Sequence, residues 1–169
     1  MYPADSISKV PLSEEGRREI KESAQKIKDL EIAEIYTSDF LRTVESVKIV
    51  KKEIGFKKDP ITDSRLRDVH YGRWCGKKKE EFYEEFPIDS ERFERAPEGG
   101  ESWNRVKERI LDFLKEKDKK KRGNILIVSH GDPLWILKST LEGLTEKEMV
   151  LSRKVKKNYP GTGEFFKLY

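Results

Sequence analysis

The sequence predicts an α/β protein, a three-layer α/β/α sandwich with a mostly parallel sheet. Short apolar segments with strand character alternate with longer segments whose apolar residues recur at helical spacing, which is the order that βα units produce. The segment Ile125–Val128 is a continuous apolar run, typical of a strand buried on both faces of a parallel sheet. Because a length of 169 residues fits one domain, we expect residues 1–169 to form a single unit.

The first three elements follow from helical spacing and one change of period. Ser13 precedes two glutamates and a run of apolar residues at helical spacing, which predicts an N-capped helix over Ser13–Leu30. The short apolar segment Ile32–Tyr36 predicts a buried strand. Apolar residues from Phe40 to Ile54 then recur every three or four positions, which predicts a second helix, capped by Ser38 or Asp39 and ended by Gly55.

The middle of the chain has weaker patterns. We predict a short strand at Pro60–Thr62, an ordered loop over Leu66–Lys79 and a short helix at Lys79–Phe86. A longer amphipathic helix is expected from Glu101 to about Lys117.

The last third contains the strongest strand and the clearest helix start. Ile125–Val128 leads directly to Ser129 and His130, and Pro133 suits the first turn of a helix that ends near Gly143. A final strand is predicted at Glu164–Leu168. We expect the Ile125–Val128 strand to lie inside the sheet.

The composition indicates a polar but folded protein. Charged residues make up 40% of the chain and hydrophobic residues 35%, while 3 Trp, 6 Tyr and 8 Phe argue against disorder. Abundant Lys and Glu with few Cys and Met is typical of proteins from hot environments. No apolar run approaches the roughly 20 residues that span a bilayer, and the first ten residues lack the features of a signal peptide. We therefore expect a cytoplasmic protein of thermophilic origin with no membrane partner.

Metal sites and disulfides are not expected. Cys75 is the single cysteine, so it cannot form an intramolecular disulfide. His70 and His130 are the two histidines, too few for a structural zinc site built from Cys and His. We predict neither a metal nor a cofactor.

Three places that follow predicted strands are candidates for chemistry, because ligands of open α/β sheets bind beyond the carboxyl ends of the strands. Arg42 lies in the first turn of a helix, where its guanidinium and free backbone N–H groups could hold a phosphate. Asp68 and His70 lie in the loop after the second strand, and His130 ends the third strand. An anion clamp, an imidazole and a proton donor are what phosphoryl transfer requires of a protein without a metal.

Each of these residues also has a structural explanation. An arginine at a helix start is more often a solvated or salt-bridged surface residue, and a lone aspartate is more often part of a turn. For His130, a buried structural imidazole and a functional one remain equal alternatives.

Five short motifs in order resemble the histidine phosphatase superfamily, the phosphoglycerate mutase-like phosphatases. The chain contains these segments, each similar to a motif of that family: Pro11–Arg17, Ser38–Thr43, Leu66–Gly76, Gly100–Ser102 and Val128–Gly131. Each is weak alone, but five in the family's order are specific. The resemblance covers nearly the whole chain.

The resemblance implies a phosphohistidine mechanism, in which one histidine attacks the phosphoryl group while a second histidine and arginines hold its oxygens. His130 would be the second histidine and Arg42 one of the phosphate-clamping arginines. Asp68 would occupy the place of the acid that protonates the leaving oxygen. Gly131 would bring a backbone N–H close to a phosphate oxygen. Cys75 stands where the motif has Glu, and we assign it no catalytic role.

The chain also departs from the family. The family's Arg-His-Gly motif, which carries the nucleophile on a central strand, does not occur in the 169 residues. We expect this strand to be missing from the chain, through a start site assigned too far downstream, a truncation, or a rearranged edge that another segment or chain fills. His70 lies inside the acid-bearing motif, and we interpret it as a supporting residue rather than the phosphoryl acceptor.

Several functions therefore stay open at the level of the sequence. The leading hypothesis is a phosphomonoesterase that acts on a small phosphorylated substrate or binds inorganic phosphate. The alternatives are a catalytically inactive phosphate-binding homologue, a phosphoglycerate mutase and a nucleic-acid binder. Glutamates interleave with the lysine runs and so favour a solvated surface over nucleic-acid binding. The oligomeric state is open, with a homodimer as one alternative.

Overall fold

A computed structural model describes residues 9–118, 123–155 and 158–168. Three strands and six α-helices alternate along them. The strands are β1 (Ile32–Thr37), β2 (Ile61–Thr62) and β3 (Asn124–Val128); the helices are α1 (Glu14–Gln25), α2 (Leu41–Glu53), α3 (Lys79–Glu85), α4 (Trp103–Lys117), α5 (Gly131–Leu141) and α6 (Glu146–Lys154). Short 3₁₀ turns lie at Ser64–Leu66, Gly72–Trp74 and Asp89–Phe93.

The sheet is parallel, with strand order β2-β1-β3. The α/β class with a mostly parallel sheet is thereby confirmed. Central β1 is the most buried strand, since Ile35, Tyr36 and Thr37 are almost inaccessible. The prediction that β3 lies inside the sheet is wrong for the described residues. Among them β3 pairs with β1 alone, so it lies at an edge. For the same reason β3 is only partly buried, and not covered on both faces as its apolar run predicted.

Helices cover both faces of this sheet. Helices α1 and α2 pack with Leu126 through Ile20, Ala24 and Val50. On the other face, α4 and α5 pack with Ile125 and Ile127. The alternation of side chains along β3 thus separates two cores, as the side-chain period of a strand requires.

The helix boundaries follow local chemistry. Ser13 caps α1 by accepting a hydrogen bond from the Gly16 N–H at 3.0 Å, as predicted. The helix ends at Gln25, before the expected Leu30, and Ile27 reaches the core from the turn that follows. Helix α2 ends before Gly55, whose φ of 68° suits glycine.

Two other predictions about elements are wrong. Neither Ser38 nor Asp39 is the N-cap of α2: Phe40 holds that position, and Ser38 is used elsewhere. Residues 164–168 form no strand, because this segment packs through Phe165 and Leu168 without pairing its backbone to the sheet. Helix α6, which the sequence reading did not include, starts with a capping box between Thr145 and Glu148. Within the described part of the chain, every helix is too short or too polar to cross a membrane.

Candidate active site

The parallel pairing of β1 and β3 brings two strand ends together. Thr37 lies opposite Val128, so the residues that follow them leave the same edge of the sheet. Ser38 and the start of α2 follow β1, whereas His130 and the start of α5 follow β3. The site therefore lies beyond the carboxyl ends of the strands, where open α/β sheets bind ligands.

His130 is the centre of this site. Its ring is buried, and its Nε2 lies 2.8 Å from Ser38 Oγ. Its Nδ1 lies 2.8 Å from Arg42 Nη2 and 3.9 Å from Asp68 Oδ2. Because a guanidinium can only donate, Nδ1 must accept from Arg42, and the ring proton must sit on Nε2, facing Ser38. The structure thus brings together three of the candidate residues, His130, Arg42 and Asp68.

A chain of hydroxyls supports the Nε2 side of His130. With Nε2–H donating to Ser38 Oγ, the Ser38 hydroxyl donates to Thr43 Oγ1 at 2.7 Å. The Thr43 hydroxyl in turn donates to the Phe40 carbonyl at 2.8 Å. Every proton in this chain has an acceptor, so the imidazole is fixed in orientation with its Nδ1 toward Arg42 and Asp68.

Arg42 lies between the imidazole and the acid. Its Nη2 is 3.2 Å from Asp68 Oδ2, and the guanidinium lies over the Phe40 ring, 4.9 Å from the centroid. The edge of the same ring packs on His130 with 5.0 Å between centroids. Arg42 is therefore neither solvated nor a simple surface residue, and its side chain is 22% exposed.

Asp68 is held in the loop after β2 by its neighbours. Its Oδ1 accepts a hydrogen bond from the Val69 N–H at 3.0 Å, and the Ser129 hydroxyl donates to the Leu66 carbonyl at 2.7 Å. Burial raises the pKa of Asp68 to about 6, and the nearby Asp132 carboxylate adds to this rise, while Arg42 opposes it. The carboxyl group can thus hold a proton close to neutral pH.

The imidazole shows the opposite effect. Burial lowers the pKa of His130 to about 3, and the positive charge of Arg42 lowers it further. At neutral pH His130 is therefore neutral when no anion is bound, which agrees with an Nδ1 that accepts from Arg42.

A cavity of about 370 Å³ opens beside these residues. Arg42, Asp68, His130 and Gly131 line its polar end. Its apolar side runs along β3 and is lined by the following residues: Leu12, Ile20, Val50, Ile127, Leu134 and Phe165. The segment 159–165 forms one wall. The site is thus continuous with an apolar trough beside the edge strand.

Gly131 begins α5 and is covered by Tyr159. A Cβ atom at position 131 would lie 2.4 Å from the Tyr159 hydroxyl oxygen, so a side chain is excluded unless Tyr159 moves. Gly131 lines the cavity together with His130, and its backbone N–H belongs to the free donors at a helix start.

His70 lies apart from this centre. It is exposed, and its Nδ1 is 2.9 Å from the Gly99 carbonyl oxygen, while its Nε2 is 4.0 Å from Cys75 Sγ. It does not line the cavity. Among the described residues, no group of three or more His, Cys, Asp and Glu side chains could hold a metal ion.

Two residues of the site were not predicted from the sequence. The sequence predicts Ser38 only as a possible helix cap. Its position directly after β1, which is parallel to β3, is the signal that places it opposite His130. Tyr159 carries no local signal, because it reaches Gly131 from a segment with no regular structure.

Comparison with known proteins decides the family. A family model described as the histidine phosphatase superfamily, branch 1, matches residues 5–154. The chain belongs to this superfamily. Phosphoserine phosphatase 1 of Hydrogenobacter thermophilus is 30% identical over 141 residues, which cover 79% of this chain and 65% of that protein. A probable phosphoglycerate mutase of Cronobacter sakazakii is 34% identical, with 79% and 64% covered.

A solved structure agrees with the fold. Bacillus stearothermophilus YhfR matches with a TM-score of 0.69 and 31% identity, over 82% of this chain and 71% of that one. The chain spans just under two thirds of the length of the two relatives above. A phosphatase and a probable mutase are therefore both among the relatives of this member of the superfamily.

Proposed function

We propose that this protein is a phosphomonoesterase that acts through a phosphohistidine intermediate, with its nucleophilic histidine on a strand that the 169 residues do not contain. The observation that carries the proposal is the convergence of Arg42 and Asp68 on Nδ1 of His130 at the start of α5. A cation, an imidazole, free backbone N–H groups and a carboxyl group of raised pKa meet at one end of a cavity.

A phosphoryl group would bind to both Arg42 and His130 and would replace their direct hydrogen bond. The guanidinium donates to its oxygens in the fork geometry that suits phosphate, and the Gly131 N–H adds a donor at a helix N-terminus. His130 Nδ1 accepts from Arg42 in the free protein, so it must gain a proton before it can donate to a phosphate oxygen. Phosphate binding therefore converts His130 to the imidazolium ion, with Nε2–H still held by Ser38.

Asp68 serves as the acid in this proposal. When the nucleophilic nitrogen forms its bond to phosphorus, the bond to the substrate oxygen breaks, and Asp68 transfers its proton to that leaving oxygen. The carboxylate then accepts a proton from the water that hydrolyses the phosphohistidine. A pKa of about 6 suits both steps, because the group exchanges its proton near neutral pH.

Neither histidine of the chain fits the nucleophile. His130 Nδ1 accepts a hydrogen bond from Arg42, and its Nε2–H donates to Ser38, so neither ring nitrogen is available. His70 lies outside the cavity. Among the described residues, however, β3 pairs with β1 alone, and the apolar trough lies beside its other edge. A parallel strand added there would end next to His130 and Arg42, and we propose that an Arg-His-Gly strand occupies this place.

A catalytically inactive phosphate-binding protein is the second candidate. It is favoured by the same two contacts that occupy both nitrogens of His130, since such a site can hold phosphate without a nucleophile. A phosphoglycerate mutase is the third candidate, because a probable phosphoglycerate mutase of C. sakazakii is among the relatives; it would transfer the phosphoryl group to another substrate oxygen instead of to water.

Turnover of p-nitrophenyl phosphate separates these functions. We expect the 169-residue chain to bind inorganic phosphate but to show little or no hydrolysis. A chain extended upstream by an Arg-His-Gly strand should hydrolyse the ester and lose that activity in the His130→Ala variant. An extended chain that binds phosphate without turnover would support the inactive homologue. Robust hydrolysis by the unextended chain that is lost on His70→Ala would contradict the assignment of His70.

A further inference from the structure

The segment that carries Asp68 lies against the start of α4. Four of its backbone carbonyls accept hydrogen bonds from groups outside the segment. The acceptors are the carbonyl oxygens of Arg65, Leu66, Asp68 and His70. The geometry of the acid therefore depends on side chains outside its own loop.

Arg109 of α4 provides two of these bonds. Its Nη1 donates to the Arg65 carbonyl at 2.5 Å and its Nη2 to the Asp68 carbonyl at 3.1 Å. The guanidinium thus spans the 3₁₀ turn that leads into Asp68. A lysine at this position would lack the planar fork of donors with which Arg109 contacts both carbonyls and Glu101 at once.

Glu101 fixes the other side of this guanidinium. Its two carboxylate oxygens accept from Arg109 Nε at 2.9 Å and Nη2 at 3.1 Å. Glu101 also pairs with His70 through the backbone: the His70 N–H donates to Oε2 at 3.1 Å, and the Glu101 N–H donates to the His70 carbonyl at 2.8 Å. The pair therefore holds the chain both before and after Asp68.

We propose that Arg109 and Glu101 are positioning residues, which keep the Asp68 carboxyl group in its partly buried place beside Arg42 and His130. This inference rests on the proposed function only in that Asp68 is the acid. Neither residue lines the cavity, so the pair acts through its contacts with the backbone of residues 65–70.

The charges around Asp68 allow a test that distinguishes position from charge. Arg42 of α2, Arg109 of α4, Asp132 of α5 and His130 face it, and the positive charge of Arg109 lowers its pKa, as that of Arg42 does. Burial, which raises the pKa, is the largest effect. Loss of the Arg109 charge alone would therefore raise the pKa of Asp68, whereas release of the carboxyl into water would lower it.

The experiment is a carbon-13 NMR titration of the aspartate carboxyl groups, with the Asp68 signal identified by its loss in Asp68→Asn. In the Arg109→Lys and Arg109→Ala variants we expect the pKa of Asp68 to fall from about 6 toward the ordinary value of about 4. Glu101→Gln should lower it less. The control is Arg105→Ala, which removes an exposed arginine from the same helix and should leave the titration unchanged.

An increase in the pKa in Arg109→Ala would overturn the proposal, because it would show that Arg109 contributes only its charge. An unchanged pKa with a lower melting temperature would also overturn it, since the pair would then serve stability alone. Arg109→Lys keeps the test available if the alanine variant does not fold. Phosphate titration of the parent chain is a separate readout: absence of binding would contradict the proposed function without affecting the result on Arg109.

Discussion

Replacement of Arg42 by alanine should weaken phosphate binding strongly. The guanidinium is the single cationic side chain that lines the described cavity, and it lies 2.8 Å from the imidazole nitrogen that we expect to face phosphate. A hydrogen bond to a charged group contributes about 1.5–3 kcal/mol. Loss of one such bond predicts that Kd rises between about 10-fold and about 150-fold.

Thermal melts convert this change into a measurable shift. At a phosphate concentration 100 times the parent Kd, bound ligand stabilises the parent by about 2.7 kcal/mol. A 100-fold weaker variant gains only about 0.4 kcal/mol at the same concentration. For a chain of this size the parent should melt about 5–10 °C higher with phosphate, and Arg42→Ala only about 1–2 °C higher.

The control is Arg67→Ala. Arg67 is a neighbouring arginine that pairs with Asp39 at the surface, so its loss changes the net charge equally without touching His130. It should keep nearly the full phosphate shift. Equal stabilisation of Arg42→Ala and the parent by phosphate would refute the assignment of Arg42 as the anion clamp.

Two further predictions concern the acid and the glycine of the site. The pKa of Asp68 is about 6 in the folded protein but about 4 in an unfolded chain. Between pH 4 and pH 6 the folded protein therefore keeps a proton on Asp68 that the unfolded chain has lost. Because this proton favours the folded state, the parent loses up to about 3 kcal/mol of stability as pH rises from 4 to 6. Asp68→Asn should lack this loss in urea unfolding at pH 4 and pH 7, and parallel profiles of variant and parent would contradict the raised pKa. Gly131→Ala should destabilise the fold by about 1–3 kcal/mol, because its methyl group meets the Tyr159 hydroxyl. The double variant Gly131→Ala, Tyr159→Ala should lose less stability than the sum of the losses in the two single variants. Strictly additive losses would argue against that contact.

The sequence predicts most of the elements of this fold because the signals are local. The cap at Ser13, the glycine stop at Gly55 and the strand β1 all depend on residues within a few positions. The same local signals fail for residues 164–168, where apolar residues pack into two cores without a strand partner. Pairing is a property of the whole sheet, which a single segment cannot reveal.

Local signals in the sequence also predict part of the site. Strand ends predict that His130 and Arg42 approach each other, since parallel strands share one edge. The hydrogen bond from His130 to Ser38, the wall at Tyr159 and the support from Arg109 depend on side-chain packing between distant segments. Such contacts need the three-dimensional arrangement, because no spacing in the sequence encodes them.

The most direct test of the proposed phosphate site is a nitrogen-15 NMR spectrum of the histidine rings. The chain has two histidines, so His70 serves as an internal reference for His130. At neutral pH without phosphate, His130 should show a protonated Nε2 and an unprotonated Nδ1. Saturating phosphate should protonate both nitrogens of His130 and leave His70 unchanged. A His130 spectrum that phosphate does not alter, or a change confined to His70, would contradict the account.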